Sequence, residues 1–166
     1  MALQHPAYGN PAVIWQTILG KPAFNPRTTG ELRAEVSCRH LFEAQEITFA
    51  SSQKKIVITA EIEDFGSPQY RCMSLTLDVN IQSGIYLYKR GQPGPVRDMS
   101  YTECVEKDGD LVYHLTQADI GTPHLSVIES CYSARLFTFA GTDHLSDPFE
   151  VCGEFTVTPP HAAISY

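Results

Sequence analysis

The stretch Lys89-Arg90-Gly91-Gln92-Pro93-Gly94-Pro95-Val96-Arg97 joins three of the chain's twelve basic residues on a turn-rich, proline-stiffened backbone and follows Tyr86 and Tyr88. Tyr and Arg concentrate binding energy at protein interfaces, and surface loops present such contacts without disturbing the scaffold beneath. Tyr86, Tyr88, Lys89, Arg90 and Arg97 are therefore the candidate binding residues, suited to an acidic partner segment or a phosphate group. A solvent-exposed connector whose charges are balanced locally would share this composition.

Patterns for catalysis are weaker. Gly-x-Ser-x-Gly is absent, so no nucleophile elbow is expected. Cys152, with Asp143 and His144 nearby in sequence, has the ingredients of a thiol nucleophile, but Cys152 alternates with Val151 and Gly153 as a packed strand residue would. An isomerase or cyclase would need no motif, only an acid such as Glu61, Asp119 or His114 beside an apolar cavity. The six histidines show no His-x-His or His-x-x-x-His spacing. A metal would have to gather His114, His124 and His144 from separate strands. For calcium, Glu61, Glu63 and Asp64 could join Asp108 and Asp110 from two loops, although a solvated acidic rim explains them equally. No catalytic residue, metal ligand or cofactor is assigned.

Whatever positions these residues is one domain. The chain has 166 residues, a mass of 18.4 kDa and 43% hydrophobic residues, enough to bury a core without a metal or disulfide staple. That composition excludes a disordered or collagen-like chain. A net charge of −7 disfavours nucleic acid and anionic membrane, which both reward surplus Lys and Arg. The opening Met-Ala-Leu-Gln-His-Pro lacks the basic and apolar blocks of a secretory signal, and the apolar runs are far short of the roughly 20 residues that span a bilayer. The expected location is cytoplasmic. The five cysteines are widely spaced with no Cys-x-x-Cys pair, so they read as free thiols, with a single Cys72–Cys131 disulfide as the alternative in a secreted setting.

Pro6, Pro11, Pro22 and Pro26 break the first thirty residues into short pieces. Residues 1–30 are expected to form an irregular arm on the domain, docked by the apolar run around Trp15. From Glu31 the hydrophobic period is two, the mark of half-buried strands. Leu32, Ala34, Val36 and Cys38 share one phase, although Thr28-Thr29-Gly30-Glu31 would also serve as a helix capping box. Ile56, Ile58, Ala60 and Ile62 form a second such set, and Met73, Leu75, Leu77 and Val79 a third. Asp108-Gly109 marks a hairpin, and further strands follow around 124–128, 132–139 and 149–157. The pattern predicts an all-β fold, an antiparallel β-sandwich of about 8–10 strands, with the domain at 31–160 and a tail at 161–166. No long helical pattern separates the strands, as parallel winding would require.

Between Ser126 and Val157, Tyr132, Ala134 and Leu136 lead into Gly141-Thr142-Asp143-His144 and then Ser146-Asp147-Pro148-Phe149-Glu150-Val151. This resembles the closing hairpin of immunoglobulin-like and fibronectin-type sandwiches, and Leu115–Gly121 resembles the connection before it. The resemblance covers about 45 residues and implies architecture alone. No tryptophan follows Cys72, and Cys72 falls in the polar phase of its strand beside Ser74 and Thr76, unlike an antibody-type domain.

The favoured function is a non-catalytic module that binds a protein partner or forms a homo-oligomer through a sheet face and the 89–97 loop, with Tyr86, Tyr88, Phe137 and Phe139 in outward phase. A small-molecule carrier with an apolar cavity is the alternative, and carbohydrate binding through aromatic platforms a third. A charged fraction of only 19%, against about 25% in a typical domain, suggests that part of the surface is covered.

Overall fold

The computed structural model describes residues 28–159. Apart from residues 28–30, the expected N-terminal arm lies outside the described residues, as does the tail at 161–166. Within them the chain forms strands and turns with no helix. One antiparallel sheet has the order β2 (Phe42–Ala44), β1 (Thr29–Val36), β12 (Pro148–Thr158), β11 (Cys131–Thr142) and β10 (Ile120–Ile128). Two short segments, β6 (Gly84–Ile85) and β7 (Tyr88–Lys89), complete this seven-stranded sheet along the free edge of β10. The second sheet has the order β3 (Glu46–Ser51), β4 (Lys55–Ile62), β5 (Arg71–Asp78), β8 (Val96–Lys107) and β9 (Asp110–Gln117). The sheets face each other as a sandwich and do not close into a barrel.

Local chemistry accounts for the connections. Asp108 (φ 54°) and Gly109 (φ 80°) are the paired left-handed residues of a two-residue hairpin, so β8 and β9 meet at Lys107 and Asp110. Ser52 Oγ accepts hydrogen bonds from the amides of Lys54 and Lys55 and closes the β3–β4 turn. Ala118 and Asp119 carry the chain between sheets: the Ala118 amide bonds to Met99 in one layer and the Asp119 amide to Ala140 in the other. The capping-box residues start a strand. Leu32, Ala34 and Val36 are buried while Arg33 and Glu35 face solvent, an alternation a helix could not have sustained.

The core fills the space between the layers. Ile56, Ile58, Met73, Leu75 and Leu77 of one sheet meet Phe137, Phe139, Phe149, Val151 and Phe155 of the other. A void among Ile58, Met73, Met99 and Phe137 measures about 10 Å³, about the room one water needs and no more.

Two expectations change. The chain forms twelve strands within the described residues. Beyond the expected set, β2 is too short to show a period, the alternating run Ile85-Tyr86-Leu87-Tyr88 divides into β6 and β7, and the first half of β8 is hidden by a bulge opposite Thr76 and Leu77. Phe137 and Phe139 also point inward. Tyr132 and Ala134 face the core, a bulge then places both Arg135 and Leu136 outside, and the phase is inverted for the rest of β11.

The Cys72–Cys131 disulfide is not formed. All five cysteines are free, and the two lie in different sheets. Cys72 sits on the outer side of β5 under Tyr70 and Tyr113, where burial pushes its thiol up to about 12. Phe65 stacks on Tyr113 at 4.3 Å and closes this small second cluster.

Candidate functional site

The structure separates the five sequence-predicted binding residues. Tyr88 is a core residue whose hydroxyl reaches Asp98 at 3.5 Å. Tyr86 is half-buried against the core, its hydroxyl donated to the Gln82 carbonyl. Arg90 pairs with Asp119 at 2.7 Å and donates to the carbonyls of Gln117 and Ala118. Arg97 pairs with Asp78 at 2.6 Å. These partners fix the loop to its own scaffold. Lys89 alone of the five has no ion-pair or side-chain hydrogen-bond partner among the described residues.

What the same edge exposes is aliphatic. The β6 and β7 registers against β10 agree, so Ile85, Leu87 and Lys89 fall opposite His124, Thr122 and Ile120 on the outer face. The next strand continues these rows with Leu136, Thr138 and Ala140. Leu87 is 83% exposed, Ile85 70% and Ile120 52%, and Leu136 is exposed as well. These nine residues include no carboxylate. The other half of the same face carries Glu31, Arg33, Glu35, Glu43 and Glu154, and its Arg33–Glu43 pair is too exposed to contribute much. The seven-stranded sheet therefore presents a largely neutral half, with Lys89 its one Lys or Arg among these nine, beside a charged half. Sequence reasoning missed the neutral half because its members come from four strands and a break in the edge. The run Ile85-Tyr86-Leu87-Tyr88 was the available signal, with the aliphatic side chains outside and the tyrosines inside.

Charged groups collect at one end of the sandwich. Arg39, in the β1–β2 connection, donates to Glu103 of β8 at 2.6 Å and to Asp143 of the β11–β12 turn at 3.2 Å. Its guanidinium lies 5.1 Å from the Phe149 ring centre. Burial opposes ionisation of Glu103, yet hydrogen bonds from Arg39 and Tyr101 outweigh it and hold the carboxyl below its usual range. Asp143 is likewise held low: what desolvation it suffers is outweighed by bonds from the Asp147 and Leu145 amides and from Arg39. Arg71 donates to the Tyr101 hydroxyl and to the carbonyls of His40 and Leu41 while lying over Phe42. An open groove of about 660 Å³ runs beside these residues. Its two arginines are already engaged, so the cluster clamps the two layers together and offers no ready anion site.

The remaining candidates disperse. His114 and His144 stack face to face at 3.7 Å, while His124 lies on the other sheet beside Ile85 and Leu136. Glu61 accepts a hydrogen bond from Tyr70, and among the described residues no group of three or more His, Cys, Asp or Glu side chains could hold a metal ion. Cys152 is exposed on β12 opposite Thr138, whereas the Asp143 carboxylate is bound by its own turn, so thiol and acid do not meet. No aromatic side chain among the described residues is exposed.

Comparisons with protein-family models, with curated proteins and with solved structures return no match to this chain.

Proposed function

We propose that the protein is a non-catalytic β-sandwich module that binds protein, and that its partner is a second copy of this chain, through the neutral half of the seven-stranded sheet beside the 89–97 loop. The observation that carries this reading is the group Ile85, Leu87, Ile120 and Leu136, exposed on the half of the face whose cross-strand rows through β10 and β11 hold no carboxylate. Exposed aliphatic clusters of this kind are uncommon on a surface that meets only water. Charge supports self-association here. With a net charge of −7 two copies repel, and a patch without acidic residues is where that repulsion is least. A two-fold contact would set each patch against its own copy, with Lys89 at the rim. Sedimentation velocity of the wild type and of Leu87→Glu tests the proposal: the wild type should associate with rising concentration and the variant should not.

The same reading places the chain in a reducing, cytoplasmic setting, supported by five free thiols. A kinship with immunoglobulin-like sandwiches belongs to it too, supported by the two antiparallel layers and the closing β11–β12 hairpin. The adjacency of β1 and β12 in one sheet departs from the immunoglobulin strand order, in which first and last strands lie in opposite sheets.

A further inference from the structure

Two of the nine residues in the neutral half can carry charge, and they stand apart. Lys89 falls in the row of Ile120 and Ala140, whereas His124 lies two rows away, between Ile85 of β6 and Leu136 of β11. The four-residue step from Ile120 to His124 spans about 14 Å of strand. On its own strand His124 has Thr122 and Ser126 on the same face. None of β6, β7, β10 and β11 contains a single Asp or Glu. Asp119 and Glu129 bracket β10, the first paired with Arg90 at 2.7 Å and the second in the turn to β11. The bulge that exposes Leu136 also exposes Arg135, a cation. One strand farther out, β12 brings Glu150, Cys152 and Glu154, of which Glu154 stands opposite Arg33 of β1. His144, by contrast, lies 3.9 Å from the Glu103 carboxylate. His124 thus has aliphatic side chains on both flanking strands and no acid in either.

We infer that His124 makes self-association depend on pH, the two copies holding together with neutral imidazoles in the contact and separating as these are protonated. The inference rests on the self-association proposed above and names its regulation. An imidazole gains its charge within the range of pH that proteins meet. Seated between Ile85 and Leu136 against the partner's like patch, that charge would lose its water with no carboxylate to replace it, and burying an unpaired charge is unfavourable. A two-fold contact doubles the effect, because each copy contributes its own His124. The separated chains therefore bind more protons than the pair, so acid favours separation. Overall charge acts in the opposite sense. The chain carries −7 at pH 7 and has an isoelectric point of about 5.3, so acidification weakens the general repulsion between copies and by itself favours association. The sign of the pH dependence separates the local effect from the global one.

Sedimentation velocity of the full chain at about pH 8 and about pH 6 tests the inference, on the wild type, His124→Gln and His124→Lys, with circular dichroism confirming the strands under each condition. His124 is only half-buried, so both substitutions should leave the fold intact. The wild-type dissociation constant should rise at least about fivefold on acidification. His124→Gln, neutral throughout, should associate as well or better at the lower pH, and His124→Lys, charged throughout, should stay at the mass of one chain in both. Wild-type association that is unchanged or stronger in acid, a His124→Gln that weakens as much as the wild type, or a His124→Lys that associates as the wild type does at the higher pH would each overturn the inference and leave the self-association itself standing. A wild type that is monomeric at the higher pH would overturn both.

Discussion

Arg39 and Glu103, 64 residues apart in sequence, form the main charged link between the two layers, with Arg39 Nη2 donating to Glu103 Oε1 at 2.6 Å and Nε spanning both carboxylate oxygens at 3.1 Å. The connection after β1 is thereby fixed to β8, and Arg39 Nη1, which also donates to the Ser37 carbonyl, fixes the β11–β12 turn to both through Asp143. Both partners are largely buried, with side-chain exposures of 15% and 13%, so solvent screens the pair only in part.

Replacing Arg39 by Met keeps the contact with Phe149 but strands two carboxylates. Stability should fall by roughly 2–3 kcal/mol, read by urea denaturation, whereas Arg33→Met at the exposed pair with Glu43 should change it by less than about 0.5 kcal/mol.

The same pair sets an acid limb. A carboxyl held below its ordinary value in the folded state binds fewer protons there than in the unfolded chain, so Glu103 and Asp143 contribute stability above about pH 4 that is lost as pH falls further. Glu61 and Asp98 work in the opposite sense, because burial pushes their carboxyls up. The measurement is therefore a difference: the stability–pH curve of Glu103→Gln should be shallower than the wild type below about pH 4.

His114 is held below the usual histidine range, by burial first and by the neighbouring His144 second. The folded state resists its protonation, so stability should decline as pH drops through the window beneath about 6.5. In an NMR titration the His114 ring should show a depressed midpoint, and His144→Phe should move that midpoint up.

Gly153 lies between Ala34 and Phe137 in the seven-stranded sheet. A Cβ there would stand 2.5 Å from the Arg33 carbonyl oxygen and 2.6 Å from the Ala34 Cβ, and the backbone cannot give way as a side chain would. Gly153→Ala should cost about 1–3 kcal/mol in chemical denaturation.

The sandwich was legible wherever the period of two ran unbroken. Ile56, Ile58 and Ala60, then Met73, Leu75 and Leu77, lie inside as their alternation required. Phe137 and Phe139 were misread because a bulge at Arg135 and Leu136 inverts the phase, and nothing in the residue types marks where an extra residue enters a strand. The 89–97 loop shows a different limit. Its composition announced charge, but the partners that neutralise it, Asp78 and Asp119, lie at least eleven and twenty-two residues from that segment and become visible only in three dimensions. The neutral face was hidden for the same reason, because Ile85, Ile120 and Leu136 meet only through pairing with β10.

Sedimentation velocity over a rising concentration series, comparing the wild type with Leu87→Glu, addresses the proposed self-association directly. Leu87 is 83% exposed, so the substitution should leave the fold intact, with stability altered by less than about 0.5 kcal/mol. The account predicts that the wild type moves toward the dimer as concentration increases while Leu87→Glu stays at the mass of one chain. A wild type that remains a monomer throughout, or a variant that associates as readily, would contradict it.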